Sequence, residues 1–236
     1  MDSACVHPQT GVRKPSLQVF ADGRVVNNPS SPKGETYEFQ LTEKQLNTFL
    51  TQVVIENKFY ELNNDEITKE MKLADQRVTE VHPSVKRIPR RRVADAPSTV
   101  ISMGLTRGSN SVSLYASSTI KKSYPKIESI QRFAKIEKIA KLLVQVAVAG
   151  GYEKVERAML KVNKRLQEKG LQSMTLQDLQ SCRQKNDKLT IRFNKKFYEE
   201  NGSWRDWINA KFIIIYGDDK AVEIESNMAE KKSPQA

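Results

Sequence analysis

The sequence predicts an α+β fold with antiparallel sheets. Apolar residues alternate with polar ones in several short runs, follow helical spacing in others, and show no strand–helix–strand crossover repeating at regular intervals. The order along the chain is hairpin, strand, helix, basic loop, hairpin, helix, and then helix, short helix and three strands. The expected arrangement is an antiparallel sheet of two hairpins plus one strand packed against two helices. A smaller unit of helix and three-stranded antiparallel sheet follows it. The expected bounds are a flexible lead-in over 1–15, a domain over 16–151 with a basic loop at 78–97, a C-terminal unit over 152–226 and a disordered tail over 227–236.

The first hairpin is placed at Leu17 to Val26, because Leu17, Val19 and Val25 flank Asp22-Gly23, a dipeptide that favours the positive backbone angles of a type I′ turn. Tyr37, Phe39 and Leu41 alternate with polar residues as a half-buried strand. Thr42 with Gln45 forms a capping-box pattern, with Leu41 and Leu46 at staple positions. Leu46, Phe49, Leu50, Val53 and Val54 then make one apolar helical stripe, expected to pack on the preceding sheet, with Phe59, Tyr60 and Leu62 plugging the edge of the same core. A weaker helical pattern runs from Asp65 to Arg77. Val78 to Arg92 reads as a loop, since His82-Pro83 and Ile88-Pro89 discourage regular structure.

Thr99 to Leu105 and Val112 to Tyr115 form a second hairpin around Arg107-Gly108-Ser109-Asn110. Pro125 suits the first turn of a long helix that carries Ile127, Ile130, Phe133, Ile136, Ile139, Leu143 and Val146 and stops at Gly150-Gly151. A further helix covers Glu153 to Lys169, and Thr175 with Asp178 predicts a short capped helix through Gln180. Strands are expected at Leu189 to Phe193, Ala210 to Tyr216 and Ala221 to Ile224, with Gly217-Asp218-Asp219-Lys220 as the last turn.

The formal charge of +11 is the compositional outlier, against 38% hydrophobic and 28% charged residues that are ordinary for a folded chain. Such an excess either serves solubility or favours acidic partners: a protein, another polyanion or nucleic acid. Positive charge concentrates at Lys86, Arg87, Arg90, Arg91 and Arg92, a run that is either a solvated surface or a set of phosphate or carboxylate contacts. Lys135, Lys138 and Lys141 form a basic flank on the long helix. Arg192, Phe193, Lys195, Lys196, Phe197 and Tyr198 interleave basic and aromatic residues, a pattern that fits single-strand stacking or a plain buried strand.

Signs of catalysis are weak. His7 lies in the lead-in and His82 precedes a proline, and neither has a nucleophile or orienting carboxylate beside it. Cys182 is either a structural cysteine or a nucleophile that would need an activating cation, for which Arg183 and Lys185 are the neighbours in sequence. Cys5 and Cys182 are too isolated for a zinc site, Asp218-Asp219 is too small a cluster for calcium, and no phosphate-binding glycine loop occurs, so no cofactor or metal is expected. Asn201-Gly202-Ser203 is a glycosylation sequon or a turn. No apolar run is long enough to span a membrane, and the first residues carry no signal-peptide core.

Ala21-Asp22-Gly23-Arg24-Val25, Leu41-Thr42-Glu43-Lys44-Gln45-Leu46, Phe59-Tyr60, Ala94-Asp95-Ala96-Pro97-Ser98-Thr99-Val100-Ile101, Tyr115 and Tyr124-Pro125-Lys126-Ile127 together resemble uncharacterised exported proteins of planctomycete bacteria. More distantly, the first unit is similar to small bacterial domains of unknown function with hairpin–helix–hairpin–helix order. The likeness covers Leu17 to Gly151 and beyond that rests mainly on Thr175-Leu176-Gln177-Asp178-Leu179. It implies an extracytoplasmic setting, periplasmic or secreted, with a cytoplasmic one as the alternative, and it brings no catalytic residues. The functional expectation is a non-catalytic binding or structural module whose basic surface recruits an acidic partner. A nonspecific nucleic-acid-binding protein is the alternative.

Overall fold

The computed structural model describes residues 15–29, 34–81, 96–106, 108–198, 204–215 and 218–226. It is mixed helix and antiparallel sheet, the predicted α+β class. Contacts divide the chain into two units, one within Glu43–Ala140 and the other made of Arg13–Thr42 together with Lys141–Ala236. The cut expected at Gly150-Gly151 thus lies inside the second unit.

The first unit begins with α1, Glu43–Leu50, which runs straight into a π-helical turn, Thr51–Glu56. Asn57 closes that turn, since its backbone N–H and its Nδ2 both donate to the Gln52 carbonyl, at 3.2 and 2.7 Å. A 3₁₀ turn, Phe59–Glu61, leads to α2, Asn64–Val81. The second hairpin follows as β4, Ser98–Leu105, and β5, Gly108–Tyr115, in the register Ile101↔Val112. A helix the sequence did not signal, α3, covers Ser117–Ser123, and α4 covers Glu128–Ala149. The latter starts after Pro125, which sits in the turn before it rather than in its first turn.

Val53, Phe59, Ile67, Val112, Leu114, Ile130, Phe133 and Ile136 form the core of this unit, with Phe49 packed beside them. The apolar stripe of the first helix therefore serves this core. The strands that precede that helix belong to the other unit, contrary to the expected packing. Glu137 is buried here, and its Oε1 accepts hydrogen bonds from Ser117 Oγ at 2.8 Å and Thr99 Oγ1 at 3.1 Å. Those partners offset the cost of taking a carboxyl group out of water.

In the second unit, β1, Leu17–Val19, β2, Arg24–Asn27, and β3, Tyr37–Gln40, form a three-stranded antiparallel sheet. Its hairpin turns at Asp22-Gly23, where Gly23 has positive φ and Asp22 does not, so the turn is not the type I′ one expected. Gly23 has φ +87°, and a Cβ there would stand 2.8 Å from the Leu41 carbonyl oxygen, so the position admits glycine alone without strain. The two predicted hairpins do not share a sheet: β4 and β5 form a separate two-stranded one. After Gly150-Gly151 comes α5, Tyr152–Glu168. The predicted Thr175–Asp178 capping box is present, but it caps only one 3₁₀ turn, Leu176–Asp178. The chain then enters a strand, where the sequence predicts helix through Gln180.

That strand is β6, Leu179–Lys185, followed by β7, Lys188–Tyr198, β8, Trp204–Ile215, and β9, Asp218–Ser226. They form a four-stranded antiparallel meander in the order β6-β7-β8-β9, where three strands were expected. Leu189, Ile191 and Phe193 of β7 and Ile208, Ala210 and Phe212 of β8 share one core with Val155, Ala158, Val162 and Leu166 of α5. Asn163 secures the connection from α5 to this sheet, donating to the Met174 carbonyl at 3.0 Å and accepting from its N–H at 2.7 Å. No helix of the described residues is long and apolar enough to cross a membrane.

The 3₁₀ turn of the first unit hangs on one side chain. Asn110 Nδ2 donates to the carbonyls of Phe59 at 2.8 Å and Leu62 at 3.0 Å. Asn110→Ala is expected to lower unfolding free energy by about 1–3 kcal/mol, because two carbonyls lose their donor. Ser102→Ala, in the exposed Ser102–Ser111 pair, is expected to change it by less than about 0.5 kcal/mol. Urea unfolding midpoints of the two variants check this.

Candidate functional site

Strand alternation sends every second residue of a sheet to the opposite face. With Cys182, Leu189, Ile191, Phe193, Ile208, Ala210 and Phe212 committed to the core, the residues between them face away from it. On β6 these are Ser181, Arg183 and Lys185, and on β7 Lys188, Thr190, Arg192, Asn194 and Lys196. On β8 they are Trp207, Asn209, Lys211, Ile213 and Ile215. Arg183, Lys185, Lys188, Arg192 and Lys196 are exposed, while Trp207, Asn209 and Lys211 are half-buried.

Register brings like charges together. Lys185 stands opposite Lys188 across the Asn186-Asp187 turn, and Arg192 stands opposite Lys211. Directly opposed residues are about 5 Å apart between Cβ atoms, and like charges there are destabilising. Lys211 is relieved by Glu223 of β9, at 2.6 Å. Arg183, Lys185, Lys188 and Arg192 form no ion pair among the described residues. Asn194 Nδ2 donates to Asn209 Oδ1 at 2.5 Å in the middle of the face, and Lys196 stands opposite Trp207.

Charge is graded across the sheet. Cations occupy β6 and β7, whereas Asp218, Glu223 and Glu225 of β9 put carboxylates at the other edge of the same face. Asp219, which alternation turns inward, is held by Arg157 Nη2 at 2.6 Å and Lys161 Nζ at 3.8 Å from α5. Asp218-Asp219 is therefore the start of a strand, and Asp219 ties that strand to α5, instead of both residues forming a turn.

The sequence-predicted residues fare as follows. Lys86, Arg87, Arg90, Arg91 and Arg92 lie outside the described residues, as do Cys5, His7, His82 and Asn201-Gly202-Ser203. Lys135, Lys138 and Lys141 are exposed on α4. Cys182 is a free, buried thiol whose backbone N–H donates to Gln145 Oε1 at 2.6 Å, and burial pushes its pKa up to about 12. Arg183 and Lys185 point away from it on the opposite face, so neither activates it. Of the basic–aromatic stretch in β7, Arg192 and Lys196 reach the open face and Phe193 is in the core. Among the described side chains, the aromatic one sharing their face is Trp207, contributed by the neighbouring strand.

Arg183, Lys185, Lys188 and Trp207 were not grouped by sequence reasoning. The signal that could have gathered the lysines is the alternation of Lys188, Arg192 and Lys196 with Leu189, Ile191 and Phe193. The pairing of β6 and β8 with that strand has no such local signal. A shallow open depression along α1 and its π turn, lined by Lys44, Asn47, Thr48, Gln52 and Glu56, belongs to a single helix face and brings no groups to converge. No protein-family model, curated protein or solved structure matches the chain.

The raised thiol pKa has a direct readout. In a Cys5→Ser protein, Cys182 is expected to resist a thiol reagent at pH 8 until denaturant is added and then to react fully. The folded state holds the proton more tightly than the unfolded one, whose thiol has a pKa near 9. The stability contributed by Cys182 is therefore complete below about pH 9 and falls as pH rises toward 12. Urea midpoints of this protein and of its Cys182→Ala variant should draw together over that window.

Proposed function

We propose that the protein is a non-catalytic binding module that captures a polyanionic partner on the outer face of its four-stranded sheet. One observation supports this above the others: Arg183, Lys185, Lys188 and Arg192 gather on one exposed sheet face with no ion pair among the described residues. Isolated surface cations are commonly neutralised or dispersed. Here register sets Lys185 directly opposite Lys188, with Arg183 diagonal to Lys188 and Arg192, at some cost in stability, and an anion bound across them offsets that cost.

Lys86, Arg87, Arg90, Arg91 and Arg92, which lie outside the described residues, stay in this reading as a separate candidate contact for an anion. Lys135, Lys138 and Lys141 follow one another along a single helix, without cross-strand neighbours to build a two-dimensional site. The non-catalytic part of the reading is supported by the state of Cys182, whose proton is retained well above neutral pH and whose neighbouring cations face elsewhere.

Heparin titration at low salt tests the reading with charge-matched variants. Replacing Arg183, Lys185, Lys188 and Arg192 by serine is expected to weaken binding at least tenfold. Replacing the exposed Lys44, Lys72, Lys164 and Lys169 by serine removes the same charge and should change it less than about threefold. Equal losses in both variants, or a loss only when Lys86, Arg87, Arg90, Arg91 and Arg92 are replaced, would overturn the sheet as the site.

A further inference from the structure

We infer that the polyanion is a single-stranded nucleic acid laid along β6 and β7, with Trp207 as the platform on which a base stacks. The inference rests on the polyanion reading and adds the class of ligand. A duplex keeps its base faces inside the stack and offers an aromatic platform no ring to stack on. A single strand presents both phosphates and unstacked bases, and proteins that bind it combine a basic track with aromatic side chains and amide groups on a sheet surface. Those three ingredients meet here on one face.

The track is supplied by Lys188, Arg192 and Lys196, spaced four residues apart along β7, and by Arg183 and Lys185 on β6 beside them. Four residues of strand span about 13 Å, so the cations follow an extended backbone at regular intervals. The platform is the half-buried Trp207, opposite Lys196 at the far end of the track. Between them lies the Asn194–Asn209 amide pair, whose remaining donors and acceptors suit base edges. Asp218, Glu223 and Glu225 bound the site on the β9 side, because an anionic strand crossing them meets like charge. The acid edge therefore favours a path along β6 and β7 over one across the sheet. An acidic polypeptide would use the cations equally but would have no use for an aromatic stacking surface.

The test uses the full chain carrying Trp204→Phe, which leaves Trp207 as the sole tryptophan, titrated with an oligothymidylate of about 16 nucleotides and separately with polyglutamate. The expected result is quenching of Trp207 fluorescence by the oligonucleotide. Trp207→Leu should weaken oligonucleotide binding at least about fivefold and leave polyglutamate and heparin binding unchanged, with Trp207→Phe restoring much of the loss. Replacing Arg183 and Arg192 by serine should lower the slope of log affinity against log salt by about 1.4. Circular dichroism and urea midpoints verify that the variants are folded.

Polyglutamate and heparin binding without oligonucleotide binding would overturn the single-strand ligand and leave the polyanion face standing. Oligonucleotide binding indifferent to Trp207 would overturn the stacking platform and this inference with it. Binding of none of the three would overturn both readings.

Discussion

The burial of one face of the four-stranded sheet against α5 is the constraint on which the second unit depends. Each apolar side chain fully withdrawn from water contributes roughly 1.5–3 kcal/mol. Leu189, Ile191, Phe193, Ile208 and Phe212 are all withdrawn, against Val155, Val162 and Leu166. Opposed like charges on the outer face cost on the order of 0.2–1 kcal/mol a pair. The core term is larger by far, so the register is set from inside, and the cations of β6 and β7 accept the neighbours that register assigns. A shift of one residue would put Arg192 and Lys188 into the core and is excluded on that ground. The concentration of positive charge outside thus follows directly from the packing inside.

Much of the fold was legible because the chain states it locally. Asp22-Gly23 demands a positive φ and gets one, and Val155, Ala158, Val162 and Leu166 keep helical spacing and line one face. Leu189, Ile191 and Phe193 keep strand spacing. What escaped was tertiary. Leu179–Lys185 reads Leu-Gln-Ser-Cys-Arg-Gln-Lys, with only Leu179 and Cys182 apolar, and it follows a capping box that promises a helix. Its strand character comes from pairing with β7, which no local pattern encodes. The separation of the second hairpin from the first sheet is of the same kind, as is the assignment of the first helix to a core that excludes the strands preceding it.

The candidate site was legible in part, for a related reason. The basic–aromatic interleaving in β7 was visible, and it left single-strand stacking and a plain buried strand both open for Arg192 and Phe193. Alternation sends them to opposite faces. The aromatic ring that does accompany Arg192 and Lys196 comes from β8, more than ten residues away in sequence and adjacent only through the register Lys196↔Trp207. The same alternation decides between the two readings of Cys182. Its cationic neighbours in sequence are on the far side of the sheet, and what surrounds the thiol is apolar core, which raises its pKa.

The acidic edge gives the sheet face a direction that charge alone would not. Lys211 lies between Arg192 and Glu223 and is claimed by the carboxylate, so the boundary between cationic and anionic territory runs along β8. A uniformly basic face would hold an anionic chain in any orientation, with affinity set by the number of phosphates covered. An anionic chain bound as proposed, repelled by β9, would gain most by lying parallel to β7, in reach of Lys188, Arg192 and Lys196 in turn. That path ends at Trp207. Orientation of the ligand and placement of the stacking ring are then consequences of one arrangement of residues, fixed by which side chains α5 buries.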